Sequence, residues 1–138
     1  MRVLNVMLLG CLLVGSLLPA ASAAEDWIEV AITADGDRTL VDQNSIERTE
    51  TDLRYWEYRD MRQSRNRRTE GSQPVYGIMV YRSVTCDSGE SRMQRLVLFN
   101  QNREVIRRIN YEESGGRLQP KAGNAEAAIR YVCNHSPS

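Results

Sequence analysis

Five guanidiniums crowd into ten residues of this chain: Arg59, Arg62, Arg65, Arg67 and Arg68. Guanidinium is a planar fork of donors that grips carboxylate, sulfate and phosphate in pairs of bonds. A cluster this dense is a candidate seat for a polyanion: an acidic or sulfated polysaccharide, a lipid headgroup or a nucleic acid. The competing reading is a solvated hairpin tip whose charges discourage edge-to-edge sheet pairing, with Asp60 and Glu70 neutralising part of it. Aromatics flank the cluster. Tyr55, Trp56 and Tyr58 lie on one strand-like run, Tyr76 and Tyr81 on the next. Alternation puts Trp56 and Tyr58 on one face and Tyr55 on the other. A flat aromatic face stacks a sugar or anchors a protein interface, although cross-strand packing accounts for the same rings without a ligand. Arg59, Arg62, Arg65, Arg67 and Arg68 with Trp56 and Tyr58 are therefore the candidate ligand-binding residues.

The other chemistry-bearing groups converge less. Asp35-Gly36-Asp37 with Asp42 resembles a calcium loop, but Thr39 stands where the next ligand belongs and Ile46 where the closing Glu belongs, so a turn is expected. Glu112-Glu113 beside Ser114-Gly115-Gly116 reads as a solvated loop, because adjacent carboxylates rarely converge on one bond. The only histidine, His135, lies in the tail, which leaves no Ser–His or Cys–His nucleophile system. Asn134-His135-Ser136 is a sequon by chance. Glu57, Asp42 and Glu104 are the only carboxylates in strand-like runs that an acid–base enzyme could use. No catalytic residue, metal or cofactor is expected, and the enzyme reading ranks third.

The N-terminus has the layout of a secretory signal. Arg2 supplies the positive region, Val6–Leu18 the apolar core, Pro19 the break and Ala21-Ser22-Ala23 the small-x-small cleavage pattern. Residues 1–23 are expected to be removed, leaving 24–138 as a single domain. The apolar core is shorter than the ~20 residues a membrane span needs. Leu8-Leu9-Gly10-Cys11 loosely fits a lipobox, but acylation at Cys11 would expose the greasy run Leu12–Leu18. Cleavage leaves Cys86 and Cys133, which in an exported protein read as one bridge. A zinc site lacks ligands, since two Cys and one His do not make the usual set. Closing so long a loop is worth about 4 kcal/mol in the chain-entropy model, a large share of the net stability of a small domain. With 18 basic and 18 acidic residues the chain is neutral overall, so no global field draws it to nucleic acid or membranes.

The elements that must position these groups are strands. Trp27–Ile32 alternates and is β-branched; Asp35-Gly36 turns it into Thr39–Asp42. Asn44–Glu47 reads as a turn, Leu53–Arg59 as a third strand and Met61–Pro74 as a long polar hairpin loop. Val75–Cys86 is the clearest strand, with Tyr76, Ile78, Val80, Val84 and Cys86 on one face and Arg82 out of place among them. Met93–Asn100 and Glu104–Tyr111 complete a six-stranded antiparallel meander. Asn124 is an N-cap candidate for a closing helix whose Ala125, Ala128, Ile129 and Val132 form one apolar stripe, with Cys133 at its edge. Such a helix is too short to stand alone and must dock on the sheet. The fold class is α+β.

With these residues in hand, the chain resembles the surface-adhesin protein E family of small exported bacterial proteins. The resemblance rests on Trp27, Val41-Asp42 with Ile46, Trp56, Tyr81, Ser83-Val84-Thr85-Cys86, Tyr111 before a loop containing Pro120, and Ala128-Ile129-Arg130-Tyr131-Val132-Cys133. It implies a six-stranded antiparallel sheet with a C-terminal helix held on one face by the two cysteines. The family name comes from an adhesin that binds host matrix proteins, but the matching positions are structural. The function expected is an exported, non-enzymatic binding module at the cell surface or in the periplasm. Its partner is expected to be an extracellular matrix protein, an acidic glycan or an envelope protein, and not a nucleic acid. The runner-up is an envelope accessory protein that docks to a partner through the open face of the sheet.

Overall fold

The computed structural model describes residues 24–120, 123 and 125–136. The expected signal peptide (1–23) and the N-cap candidate Asn124 lie outside them. Ten strands and one helix follow in chain order: β1 (Trp27–Ile32), β2 (Arg38–Asp42), β3 (Glu47–Arg48), β4 (Leu53–Asp60), β5 (Thr69–Glu70), β6 (Gln73–Pro74), β7 (Gly77–Thr85), β8 (Glu90–Phe99), β9 (Val105–Asn110), β10 (Arg117–Gln119) and α1 (Glu126–Asn134). The long strands pair as an antiparallel meander, β1-β2-β4-β7-β8-β9. This is the expected path, but the main sheet holds eight strands rather than six. Short β3 pairs with the Leu53 end of β4, beyond the stretch that β2 occupies, and short β10 pairs with Ser91–Met93 of β8, beyond the stretch held by β9. The long loop also carries its own two-stranded ribbon, β5–β6. Glu104 falls in the turn before β9, where its N–H donates to Asn100 Oδ1 at 3.0 Å.

Alternation separates two faces. Leu53, Tyr55, Glu57 and Arg59 of β4 stand opposite Val84, Arg82, Val80 and Ile78 of β7, all on one face; Trp56 and Tyr58 stand opposite Tyr81 and Met79 on the other. Helix α1 closes one half of the first face. Ala128 and Val132, both fully buried, pack with Val41, Ile46, Leu53, Tyr55 and Val84. The loop after β4 shields the other half, where Met61 and Val75 join Ile78, Val80, Met93 and Leu98 in a second cluster. The Cys86–Cys133 disulfide ties the end of β7 to the helix.

Two glycines make close approaches possible. Gly36 turns β1 into β2 at φ 91°, and a Cβ there would lie 2.8 Å from the carbonyl oxygen of Gln63. The Arg65 N–H donates to Asp35 O at 2.7 Å, so the long loop is fastened to this turn. Gly77 sits between Asp60 and Phe99 in the sheet. A Cβ there would lie 2.3 Å from the Tyr58 hydroxyl oxygen, so the missing side chain leaves the gap into which Tyr58 leans.

Candidate functional site

The candidate arginines go to different places. Arg62 turns back on buried Asp60: its Nε and Nη2 donate to the carboxylate at 3.0 and 2.7 Å, and its N–H donates at 3.0 Å. These bonds from Arg62 outweigh the effect of burial and hold the Asp60 carboxyl below its ordinary pKa. Arg67 fastens the loop. Its Nη1 donates to the carbonyls of Met61 and Val75 at 3.0 and 3.1 Å, and its guanidinium lies 3.7 Å above the Tyr76 ring. Arg65 is exposed. Arg59 and Arg68 line a cleft on the helix side of the sheet, whereas Trp56 and Tyr58 belong to the opposite, open face.

The open face is a half-buried field of rings. Trp27 meets Tyr58 edge-on with centroids 6.0 Å apart, and Tyr58 meets Phe99 in the same way at 6.3 Å. These three rings line a groove of about 450 Å³, together with Leu40, Met79 and the guanidiniums of Arg38, Arg62 and Arg103. A neighbouring groove of about 550 Å³ on the same face is lined by Trp56, Tyr81 and Arg95. Here Trp56 and Tyr81, a cross-strand pair, lie 5.0 Å apart at a 33° tilt, and Arg95 stands 5.8 Å over Tyr81. Arg38 is engaged with Glu29, and Arg95 with Glu112 at 3.1 Å. The face thus offers half-buried rings bordered by guanidiniums, a pattern suited to sugars, aromatic anchors and acidic groups. The sequence named Trp56 and Tyr58 for this face. It passed over Phe99, Arg38 and Arg95, whose place follows from the register of β2 and β8 on β4 and β7, and Arg103, which lies in the turn between β8 and β9.

On the helix side, β7 resolves the oddity of Arg82. Its side chain is only 4% exposed, as is that of Glu57, and the two meet through Nη2–Oε2 at 3.2 Å and Nε–Oε1 at 3.3 Å. The Tyr55 hydroxyl donates to Glu57 Oε1 at 3.1 Å. Burial alone would lower the Arg82 pKa; Glu57 and Tyr55 together outweigh it and leave it raised. Burial, reinforced by Glu57, pushes the Tyr55 hydroxyl well above its ordinary range. Arg82 Nη1 is buried with no hydrogen-bond partner among the described residues. Arg59, half-buried beside Glu57 and Asp37, has its pKa lowered by burial, which those two carboxylates only partly offset.

The carboxylates singled out as possible acids or bases have structural partners. Asp42 Oδ1 accepts from the N–H groups of Asp26 and Asn44, capping the turn that follows β2. Asp35-Gly36-Asp37 is a turn closed by Thr33, whose N–H donates to Asp37 O at 2.8 Å. No cluster of three or more metal-binding side chains occurs among the described residues. Nor is any described helix long and apolar enough to cross a membrane. The His135 ring stacks on Tyr131 at 4.1 Å.

Fold and site together define a small disulfide-closed α+β domain with a helix and a loop packed on one sheet face, a cleft left beside them, and the other face open. The family model described as surface-adhesin protein E matches residues 27–134, and the chain belongs to that family. A search of curated proteins and one of solved structures returned no match to the chain.

Proposed function

We propose that this domain is an exported, non-enzymatic, adhesin-like module whose open sheet face binds an extracellular or cell-envelope macromolecule. The observation that carries this reading is the pair of adjoining grooves on that face. Trp27, Tyr58 and Phe99 line one, and Trp56 and Tyr81 the other, with Arg38, Arg62, Arg103 and Arg95 around them. Membership of an adhesin family supports it. Half-buried rings give contact area at low entropic cost, and guanidiniums bridge from ring faces to acidic groups. An extracellular matrix protein or an acidic glycan fits that chemistry. The signal-like segment 1–23 supports export, and with it a processed chain in the periplasm, at the cell surface or in the medium.

The test is retention of processed chain, residues 24–138, on a panel of immobilised matrix proteins and sulfated glycans, alongside the variant Trp56→Ala/Tyr58→Ala. Retention that salt weakens and that falls about tenfold or more in the variant is expected. Retention on no member of the panel would remove the reading's support. A stoichiometric envelope protein co-purifying in that case would favour the accessory-protein reading.

A further inference from the structure

We propose that the helix-side cleft is a second binding site, for a small amphipathic anion with one carboxylate, sulfate or phosphate head and an apolar body. The cleft measures about 490 Å³, within the range of ~300–1,000 Å³ typical of small-molecule sites. Its floor is the sheet itself: Ile78, Val80 and Leu98, buried where Met61 and Val75 of the loop pack on them, and half-buried Leu96 line it with aliphatic groups. The loop stretch from Arg68 to Val75 forms one wall, and Tyr111 with Arg117 and Gln119 the other.

Five guanidiniums line this space: Arg59, Arg68, Arg82, Arg107 and Arg117. Three carboxylates face them. Glu57 holds Arg82, Glu70 holds Arg107 at 2.6 Å, and Asp37 stands with Glu57 near Arg59. Positive charge is left over. Arg68 and Arg117 are exposed at the walls with no salt-bridge partner among the described residues; Arg117 only faces the Tyr111 ring, at 6.0 Å. Deeper in, Arg82 keeps a donor, Nη1, without an acceptor, which is costly for a buried charge. Cationic walls over an aliphatic floor suit a ligand that carries both characters. Inorganic phosphate would leave the floor wet, and a neutral alkyl chain would leave the guanidiniums unanswered. Because alternation separates the two faces, this site stands apart from the open-face grooves.

Calorimetric titration of the processed chain with octyl phosphate, below its micellar concentration, tests the proposal. Inorganic phosphate and octanol serve as the two partial ligands. Octyl phosphate is expected to bind one to one, about tenfold or more tighter than either partial ligand, and to weaken about tenfold in Arg68→Ser/Arg117→Ser. Both substituted side chains are exposed, so that variant should keep the wild-type melting temperature; Trp56→Ala/Tyr58→Ala should bind as wild type does. No binding of octyl phosphate, equal binding of phosphate or octanol, or an undiminished affinity in the double arginine variant would overturn it.

Discussion

Arg82 is buried on the helix side of the sheet in a pair with Glu57. On sequence it interrupts the apolar row of Ile78, Val80 and Val84, and alternation alone cannot say whether it is paired inside or reaches out to water. The partner, Glu57, lies on a different strand, and only the register of β4 on β7 brings the two together. A buried ion pair stabilises little relative to an apolar pair, but losing one member strands the other charge. Arg82→Met should therefore lower stability by about 3–5 kcal/mol, whereas Arg82→Met/Glu57→Leu should recover a large part of that loss. Denaturant unfolding of both variants measures this, and a double variant no more stable than the single one would refute it. Tyr55 adds a pH signature. Its folded pKa is raised, so the neutral hydroxyl is favoured in the native state. The resulting stabilisation is complete below the unfolded tyrosine pKa of about 10 and is lost as pH rises beyond it, because the unfolded chain gives up the proton first. Tyr55→Phe should remove part of the alkaline decline in melting temperature. An unchanged slope above pH 10 would contradict this origin.

At the scale of elements, most of the sheet was legible because its strands are long enough to show a period. β1, β4, β7 and β8 run for six to ten residues, β4 alternates buried and half-buried positions over its first six, and the helix stripe of Ala128, Ile129 and Val132 recurs at helical spacing. The short strands were not legible. β3, β5, β6 and β10 are two or three residues long, too few to display alternation, and each forms only because a longer neighbour or a turn presents an edge. β10 follows Gly115 and Gly116, whose φ values of 82° and 89° turn the chain back onto β8. The helix itself depends on its neighbours. It has nine residues and no side-chain cap at Ala125, so packing and the bridge to Cys86 hold it. Removing the bridge as Cys86→Ser/Cys133→Ser opens a loop with a separation of 47 residues, worth about 4 kcal/mol in the chain-entropy model. A fall in melting temperature on the order of 15 °C or more is expected by calorimetry. A fall of only a few degrees would mean that packing alone secures α1.

Across the whole molecule, the sheet works as a partition. What reads in sequence as one arginine cluster beside one aromatic run is distributed by alternation and by the loop's path: Trp56 and Tyr58 reach the open face with Arg62 at its margin, Arg59 and Arg68 line the helix-side cleft, and Arg67 knits the loop shut. The aromatic part was legible because strand residues obey a period of two. The arginine part was not, because a loop has no period and its side chains go where local carbonyls, rings and carboxylates draw them. Gly77 shows the same economy, since the open-face groove owes the pose of Tyr58 to an absent side chain. The proposed binding surface is the open face. It is tested most directly by comparing retention on one immobilised matrix protein or sulfated glycan for three forms: the wild-type chain, Trp56→Ala/Tyr58→Ala and Arg68→Ser/Arg117→Ser. Loss of retention in the aromatic variant with retention kept in the arginine variant is the predicted result; loss in the arginine variant with the aromatic variant unaffected would contradict it and place adhesion on the other side of the sheet.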